Sequence, residues 1–293
     1  MNSIEFYIAL SSLVGSSASL VCTSVAILIF LLCLPVTERN LRSNLVVCLL
    51  TAEMLNALNN TISGAYSMQQ DLRPSFWCTV NGFVGQVTVQ ATDLSVLCIS
   101  VLTFWVLTQQ QERVAVLTKN PQLWFAIVWL PSLLTACINI GLVGYAPSST
   151  SHSTWCWIAS QPNPQATIVR NALTHVPRLI IIVTILVLHV LIAARLCHGL
   201  RDSNSDNKAD ADKEHRWMLH NAIVRLLSFP IAYILLWIPG IANRLAEEIG
   251  HSSDVLLLLQ TCTQYIGLAH GIICMWNLAV IMQMYSKHAH QIK

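Results

Sequence analysis

Apolar and polar positions are segregated along this chain into long blocks. Apolar stretches of the length that a bilayer-spanning helix needs, about 20 residues, are separated by short polar segments. This pattern predicts an all-α membrane protein, a bundle of seven transmembrane helices that forms one domain over residues 1–293. The predicted spans one to seven cover residues 7–34, 43–67, 77–108, 121–144, 166–198, 217–242 and 255–285.

The composition agrees with a membrane protein. Charged residues make up 10% of the chain and hydrophobic residues 54%, and the mean hydropathy is +0.58. A soluble domain of this length needs more charge to cover its surface. The start, MNSIEFYIAL, lacks the basic region and cleavage site of a signal peptide, so we expect the first stretch to be a span. We expect contact with membrane lipid and no nucleic-acid partner.

The basic residues indicate the orientation. They are concentrated in loops one, three and five, which lie on one side of the predicted bundle: Arg39, Arg42, Arg113, Lys119, Arg201, Lys208, Lys213 and Arg216. The opposite loops contain little beyond Arg73 and Arg244. Because Lys and Arg are enriched in cytoplasmic loops, the N-terminus is predicted outside and the C-terminus in the cytoplasm. Loop five, LRDSNSDNKADADKEHRW, is hydrophilic and predicted to be disordered.

Four spans carry polar residues at helical spacing, which puts each set on one helix face. The sets are Glu53, Asn56 and Asn60; Gln86, Gln90 and Asp93; His175 and Arg178, with His189 further along; and Thr263, His270 and Asn277. These faces are predicted to point into the bundle. For the amides, plain interhelical hydrogen bonding is an equally good interpretation. For Glu53, Asp93 and Arg178 a functional or switch role is favoured. Asp93 is predicted to pair with Arg178, and Glu53 with His270.

Span six contains two prolines, Pro230 and Pro239. Each removes a backbone hydrogen bond and permits a kink. The kink is either a moving lever or a static bend, and the sequence favours neither.

Cysteine placement predicts one disulfide. Of the ten cysteines, only Cys78, at the start of span three, and Cys156, in the loop SHSTWCWIAS, fall on the predicted outer side, where disulfides persist. A bond between them would hold this loop over the mouth of the bundle. Trp155 and Trp157 are predicted at the membrane–water boundary, which indoles favour. The spacing of His and Cys suggests no metal site, and we expect no cofactor.

Four segments are informative together: FWCTVNGF, ATDLSVLCISVLTFWVL, WCWI and FPIAYILLWIPGIANR. In their order and spacing they resemble the cyclic-AMP-receptor-like family of G-protein-coupled receptors from slime moulds and fungi. The resemblance implies ligand-driven nucleotide exchange on a heterotrimeric G protein, but not that cyclic AMP is the ligand. The rhodopsin-like class fits less well, because Leu102-Thr103-Phe104 stands where Asp-Arg-Tyr is expected. Secretin-like receptors have a large extracellular domain that this chain lacks.

The sequence also bears on three other classes of protein. A microbial rhodopsin needs a lysine within span seven, whereas Lys287 lies past its end. An enzyme would need a nucleophile–base or metal set, and no such motif is present. A solute transporter of the PQ-loop or sugar-exporter type is the alternative, because Pro121-Gln122 and Pro164-Gln165 occur. These pairs sit on opposite faces, and no repeat of three spans accompanies them.

The sequence thus predicts a multi-pass plasma-membrane receptor for an extracellular small molecule, coupled to a heterotrimeric G protein. Four sets of residues are assigned. The predicted ligand contacts are Gln86, Gln90, Trp157, His175, Arg178, Trp237 and Gln264. The predicted switch network is Glu53, Asp93, His270, Asn277 and Pro239. The predicted G-protein contacts are Arg113, Arg201, Lys213 and Arg216, and the predicted disulfide joins Cys78 and Cys156. For an anionic ligand, Arg178 is the expected counter-charge, with Arg170 or Arg244 nearer the rim.

Overall fold

The computed structural model describes residues 3–33, 41–68, 72–108, 121–147, 154–159, 164–203, 210–248 and 253–291. Within these residues, seven helical segments are long and apolar enough to cross a membrane. They correspond in order to the seven predicted spans, and most of their ends lie close to the predicted boundaries.

The first four spans are single helices: α1 Ser3–Cys33, α2 Leu41–Ser67, α3 Phe76–Leu107 and α4 Pro121–Leu142. Span five consists of α5 Pro164–Arg170, a π-helical turn Asn171–His175 and α6 Val176–Ser203. Span six is α7 Asp210–Glu248. Span seven consists of α8 Asp254–Gln260, a 3₁₀ turn Thr261–Tyr265 and α9 Ile266–Gln291. Between α4 and α5, the strands β1 Tyr145–Pro147 and β2 Cys156–Ile158 form an antiparallel hairpin.

The helix α3 lies at the centre of the bundle. In an 18-residue stretch of α3, 78% of the residues are buried, against 17% in span five. Buried residues of α2, α3 and α7, such as Leu49, Ile99 and Phe229, belong to one apolar core. The peripheral spans turn large apolar side chains outward, as helices facing lipid do.

The start of span six differs from the prediction. The helix α7 begins at Asp210, whereas the sequence pattern suggested disorder up to about Trp217. The prediction was wrong for this part of loop five. Asp210 and Asp212 stand in the first turn, where negative charge is favourable to the helix dipole, and the following residues include good helix formers such as Lys213 and Glu214.

Span seven changes from 3₁₀ to α-helix where α1 touches it. The Ser19 hydroxyl donates to the Gln264 carbonyl (2.6 Å) and accepts from the Leu268 amide (3.0 Å). It therefore stands between two groups that would bond directly in an uninterrupted α-helix. A side chain inserted in this way is an established cause of local helix distortion. Gly267 permits the approach, since a Cβ there would lie 3.0 Å from Ser19.

The hairpin is tied to the helices at one end of the bundle, here called the hairpin end. The predicted disulfide is confirmed: Cys78, in the first turn of α3, is bonded to Cys156 in β2. Asn81 Oδ1 accepts the backbone N–H of Cys156 at 2.8 Å, and the Ser63 hydroxyl donates to the Thr154 carbonyl at 2.7 Å. The hairpin is thus held by α2 and α3 as well as by the disulfide.

Candidate ligand-binding site

A cavity of about 210 Å³ opens at the hairpin end. Its walls come from spans one to three and five to seven and from β2. Amide and indole side chains line much of it, among them Asn56, Asn60, Trp155, Trp157, Trp237 and Gln264. A concave site with a few convergent polar groups is the usual form of a small-molecule binding site.

Five of the seven predicted ligand contacts line this cavity. They are Trp157, His175, Arg178, Trp237 and Gln264. The other two, Gln86 and Gln90, are not among the lining residues. On α3 the lining is instead provided by the adjacent face, with Gly85, Val89 and Thr92.

Gln86 and Gln90 hold neighbouring elements in place. Gln86 Oε1 accepts from the Tyr145 hydroxyl at 2.7 Å. Burial raises the pKa of Tyr145 to about 12, so the phenol keeps its proton and donates. Gln90 donates to the Leu173 carbonyl in the π-helical turn at 2.5 Å and accepts from the Thr135 hydroxyl. Their sequence pattern resembled that of a ligand site because both tasks require polar groups on an inward face.

Asp93 lies at the centre of a charged cluster on the cavity floor. Arg178 Nε donates to Asp93 Oδ2 at 3.0 Å, and the Tyr233 hydroxyl donates to Asp93 Oδ1 at 2.6 Å. The Arg178 guanidinium also lies over the Trp237 ring, 3.8 Å from its centroid. The predicted pairing of Asp93 with Arg178 is therefore present, and it extends to span six through Tyr233. Tyr233 was not predicted as a site residue, although it stands one helical turn before Trp237.

Glu53 forms a second buried pair with His270. The distance from His270 Nδ1 to Glu53 Oε1 is 2.5 Å, and His270 Nε2 lies 2.8 Å from the Phe229 carbonyl oxygen. This pairing was also predicted. The contact with Phe229 was not, because it uses a backbone oxygen that no residue pattern reveals. Spans two, six and seven thus meet at one imidazole ring.

Amide hydrogen bonds connect the upper cavity wall. Asn60 Nδ2 donates to Gln264 Oε1 at 2.9 Å and to Asn56 Oδ1 at 3.4 Å. The Thr88 hydroxyl donates to Asn56 Oδ1 at 3.3 Å. Gln264 lies in the 3₁₀ turn of span seven, and its backbone carbonyl accepts from Ser19. The same residue therefore belongs to the cavity wall and to the irregular part of span seven.

Apolar side chains of spans five and six also line the cavity. Among them are Val176, Leu179 and Leu245, with exposures of 50%, 40% and 48%.

Of the remaining predicted residues, Arg244 lines the cavity, whereas His189, Asn277 and Pro239 are not among the lining residues. His189 Nδ1 is 2.7 Å from the Ile185 carbonyl of its own helix, and Asn277 is half-buried in α9. Pro239 lies within α7, next to the lining residue Gly240. Arg113 lies outside the described residues, as do the side chains of Arg201, Lys213 and Arg216. Within the described part of the chain, no group of three or more His, Cys, Asp or Glu is arranged to hold a metal ion.

Comparisons with known proteins give a family and a fold. The model of the family described as "Git3: G protein-coupled glucose receptor regulating Gpa2" matches residues 6–200. The crystal structure of squid rhodopsin superposes with a TM-score of 0.65 over 92% of this chain and 80% of that chain, at 15% identity. At such low identity this likeness shows the seven-helix fold alone.

Two curated relatives come from Arthrobotrys oligospora. Ascaroside receptor GPR2 is 25% identical over 158 residues, which is 52% of this chain and 36% of the relative. Ascaroside receptor GPR3 is 26% identical over 170 residues, 57% of this chain and 40% of the relative. The similarity thus covers less than half the length of each relative.

Proposed function

The chain belongs to the Git3 family of G-protein-coupled glucose receptors, and from this premise we propose that its cavity binds an extracellular polyhydroxylated small molecule and that binding is transmitted to a heterotrimeric G protein. As a member of this family the protein is a multi-pass membrane receptor and not an enzyme. The resemblance to cyclic-AMP-receptor-like proteins is compatible with this family. The cyclic-AMP-receptor-like subtype stays a prediction.

The observation that carries the proposal is the polar cavity beside the disulfide-bonded hairpin. Its amides can donate and accept at once, and the indole rings of Trp155, Trp157 and Trp237 supply apolar faces. A molecule with hydroxyl groups on a ring or chain matches both kinds of surface. The family description names glucose, which makes D-glucose the first probe.

We place the hairpin end outside the cell and the receptor in the plasma membrane. A disulfide between Cys78 and Cys156 is stable in an oxidising compartment. The basic loops of the sequence belong to the other end, in agreement with their preference for the cytoplasm. In this orientation the ligand enters beside the hairpin.

Transmission would involve span six, which contains Pro230 and Pro239. The predicted switch residues of spans two, three and seven, Glu53, Asp93 and His270, contact span six directly or through one group. The cytoplasmic ends of the helices, with Arg113, Arg201, Lys213 and Arg216, would meet the G protein. In this proposal the bundle has two conformations that differ in the position of span six. A ligand shifts the equilibrium between them only by the difference in its affinity for the two.

The test is nucleotide exchange by a purified heterotrimer containing Gpa2, with the receptor in lipid nanodiscs. D-glucose should accelerate exchange, and Gln264→Ala should raise the half-saturating concentration by about tenfold, since it removes a hydrogen-bonding side chain of the cavity. A variant of the lipid-facing residue Leu186, Leu186→Ala, should respond like the unmodified protein. Uptake of labelled glucose into liposomes without any exchange response would instead support the transporter alternative.

A further inference from the structure

Span five contains the π-helical turn Asn171–His175 just before Pro177. The Val176 N–H donates to the Asn171 carbonyl, five residues back instead of the four of an α-helix. Such turns are rare, and they occur frequently at functional sites. This one lies beside the cavity, because Asn171 and His175 are among the lining residues.

The proline leaves one carbonyl of this turn in need of a partner from outside span five. In an α-helix the Leu173 carbonyl would accept from the N–H four residues later, at position 177. Proline has no N–H, so Pro177 provides no donor. Within a membrane, a carbonyl freed by proline is satisfied by a neighbouring helix, a Ser or Thr side chain, or water.

The helix α3 supplies the missing donor. Gln90 Nε2 donates to the Leu173 carbonyl at 2.5 Å. The other end of the same amide, Gln90 Oε1, accepts from the Thr135 hydroxyl of α4. The Gln90 amide thus takes the place that a backbone N–H has in a regular helix, and span four orients it there.

Span five is held by α3 on both sides of Pro177. Asp93, three residues after Gln90, pairs with Arg178 of span five at 3.0 Å. Residues three apart lie on the same helix face, so one face of α3 makes both contacts. The charge pair fixes the part of span five that follows the proline. The Gln90 amide fixes the part that precedes it, which contains the π-helical turn.

We propose that Gln90 is a positioning residue of the receptor, which holds the π-helical turn in the conformation that forms the span-five wall of the cavity. This rests on the proposed function, since the wall belongs to the same cavity. Without the Gln90 amide the Leu173 carbonyl loses its donor, which is costly, and the turn shifts towards another donor. Asn171 and His175 shift with it. Gln90 itself is not among the lining residues, so it acts on the ligand through the turn.

The test begins with Gln90→Met, which keeps a similar length and flexibility but removes the amide. Backbone hydrogen exchange of residues 171–176, measured in nanodiscs without ligand, should accelerate about tenfold, because the turn loses one hydrogen bond. In nucleotide exchange on the Gpa2 heterotrimer, the half-saturating D-glucose concentration should rise about tenfold. The maximal rate at saturating glucose should stay the same. A loss of folded receptor alone would lower the maximal rate and leave half-saturation unchanged.

Pro177→Ala tests the role of the freed carbonyl. This substitution provides an N–H at position 177 that can donate to Leu173, so the Gln90 amide is no longer needed there. Adding Gln90→Met to Pro177→Ala should therefore change half-saturation by less than about threefold. An equally large effect of Gln90→Met with and without the proline overturns the role assigned to the Leu173 carbonyl.

Thr135→Val is the matched control, because it removes the bond to Gln90 Oε1 and leaves Gln90 Nε2 able to donate to Leu173. Hydrogen exchange of the turn should change less than in Gln90→Met. An effect as large as that of Gln90→Met would mean that the bond to Leu173 is not the contact that holds the turn.

The measurement without ligand separates this proposal from the proposed function. Unchanged hydrogen exchange of residues 171–176 in Gln90→Met overturns the hold on the turn, whatever glucose does. Faster hydrogen exchange with an unchanged half-saturating concentration overturns the positioning role. If glucose leaves nucleotide exchange by the unmodified receptor unchanged, the proposed function fails for this probe. Faster hydrogen exchange in Gln90→Met then still supports the hold of Gln90 on the turn.

Discussion

Removing one member of the Arg178–Asp93 pair should cost more stability than removing both charges together. Arg178 is 6% exposed and Asp93 is 3% exposed, so either residue alone would leave a buried charge without its counter-ion. Breaking a buried pair by removing one partner typically costs about 3–5 kcal/mol. The substitutions are Arg178→Gln, Asp93→Asn and the double variant.

The double variant should recover much of this loss. In Asp93→Asn with Arg178→Gln no charge remains, the new amides can bond to each other, and the Tyr233 hydroxyl can still donate to Asn at position 93. We therefore expect a coupling free energy of about 2 kcal/mol or more between the two sites, within the range measured for residues in one network.

The assay is the apparent melting temperature of the purified receptor. Samples are heated to a series of temperatures, and the protein that stays folded is measured by size-exclusion chromatography. With a shift of about 2–4 °C per kcal/mol for a chain of this size class, each single variant should melt roughly 6–20 °C lower. The double variant should melt above both single variants. The order of the melting temperatures is the criterion. Single losses that simply add in the double variant would refute the argument that the two charges compensate each other.

Three further predictions concern packing and the hairpin. Gly271→Ala would put a Cβ 2.8 Å from Cys22 Sγ and 3.1 Å from its carbonyl oxygen, so thermal stability should fall by about 1–3 kcal/mol. The control Gly141→Ala, where nothing lies within 4 Å, should be neutral or slightly stabilising; equal losses would contradict the close approach of spans one and seven. Tyr145→Phe leaves the buried Gln86 Oε1 without its donor and should cost about 1–3 kcal/mol by the same thermal assay, whereas an unchanged melting temperature would mean that Gln86 finds another partner. Reducing the Cys78–Cys156 bond should lower the melting temperature and weaken the proposed binding of glucose. Replacing both cysteines by Ser should reproduce both effects without reductant. Unchanged binding in that double variant would mean that Asn81 and Ser63 suffice to hold the hairpin.

The sequence was sufficient for the architecture because the bilayer imposes a simple rule. A span needs a long apolar stretch and must satisfy its backbone internally, so the seven helices could be counted from hydropathy. Only Cys78 and Cys156 fall on the side predicted to be outside and oxidising, and the structure has the bond between them. Loop five was an exception, since its charged residues also suit the first turns of a helix, and α7 begins there at Asp210.

The charge pairs could also be predicted, for a physical reason. Buried ionisable groups need a counter-charge. The pairing of Asp93 with Arg178 and of Glu53 with His270 was predicted from the estimated depth of these residues in the spans, and both pairs are present. The amides were different, because an inward amide serves a ligand or a neighbouring helix equally well, and the sequence does not tell which.

Only the tertiary structure decided which inward groups face the cavity. Gln86 and Gln90 are bonded to Tyr145 and to the π-helical turn, because the rotation of α3 directs Gly85, Val89 and Thr92 to the cavity instead. Other contacts use backbone atoms. The Phe229 carbonyl accepts a hydrogen bond from His270, and the Ser19 hydroxyl bonds to the backbone of span seven at Gln264 and Leu268. Periodicity specifies that a face points inward, but its partner depends on helix rotation and close approach, which arise only when all seven helices pack together.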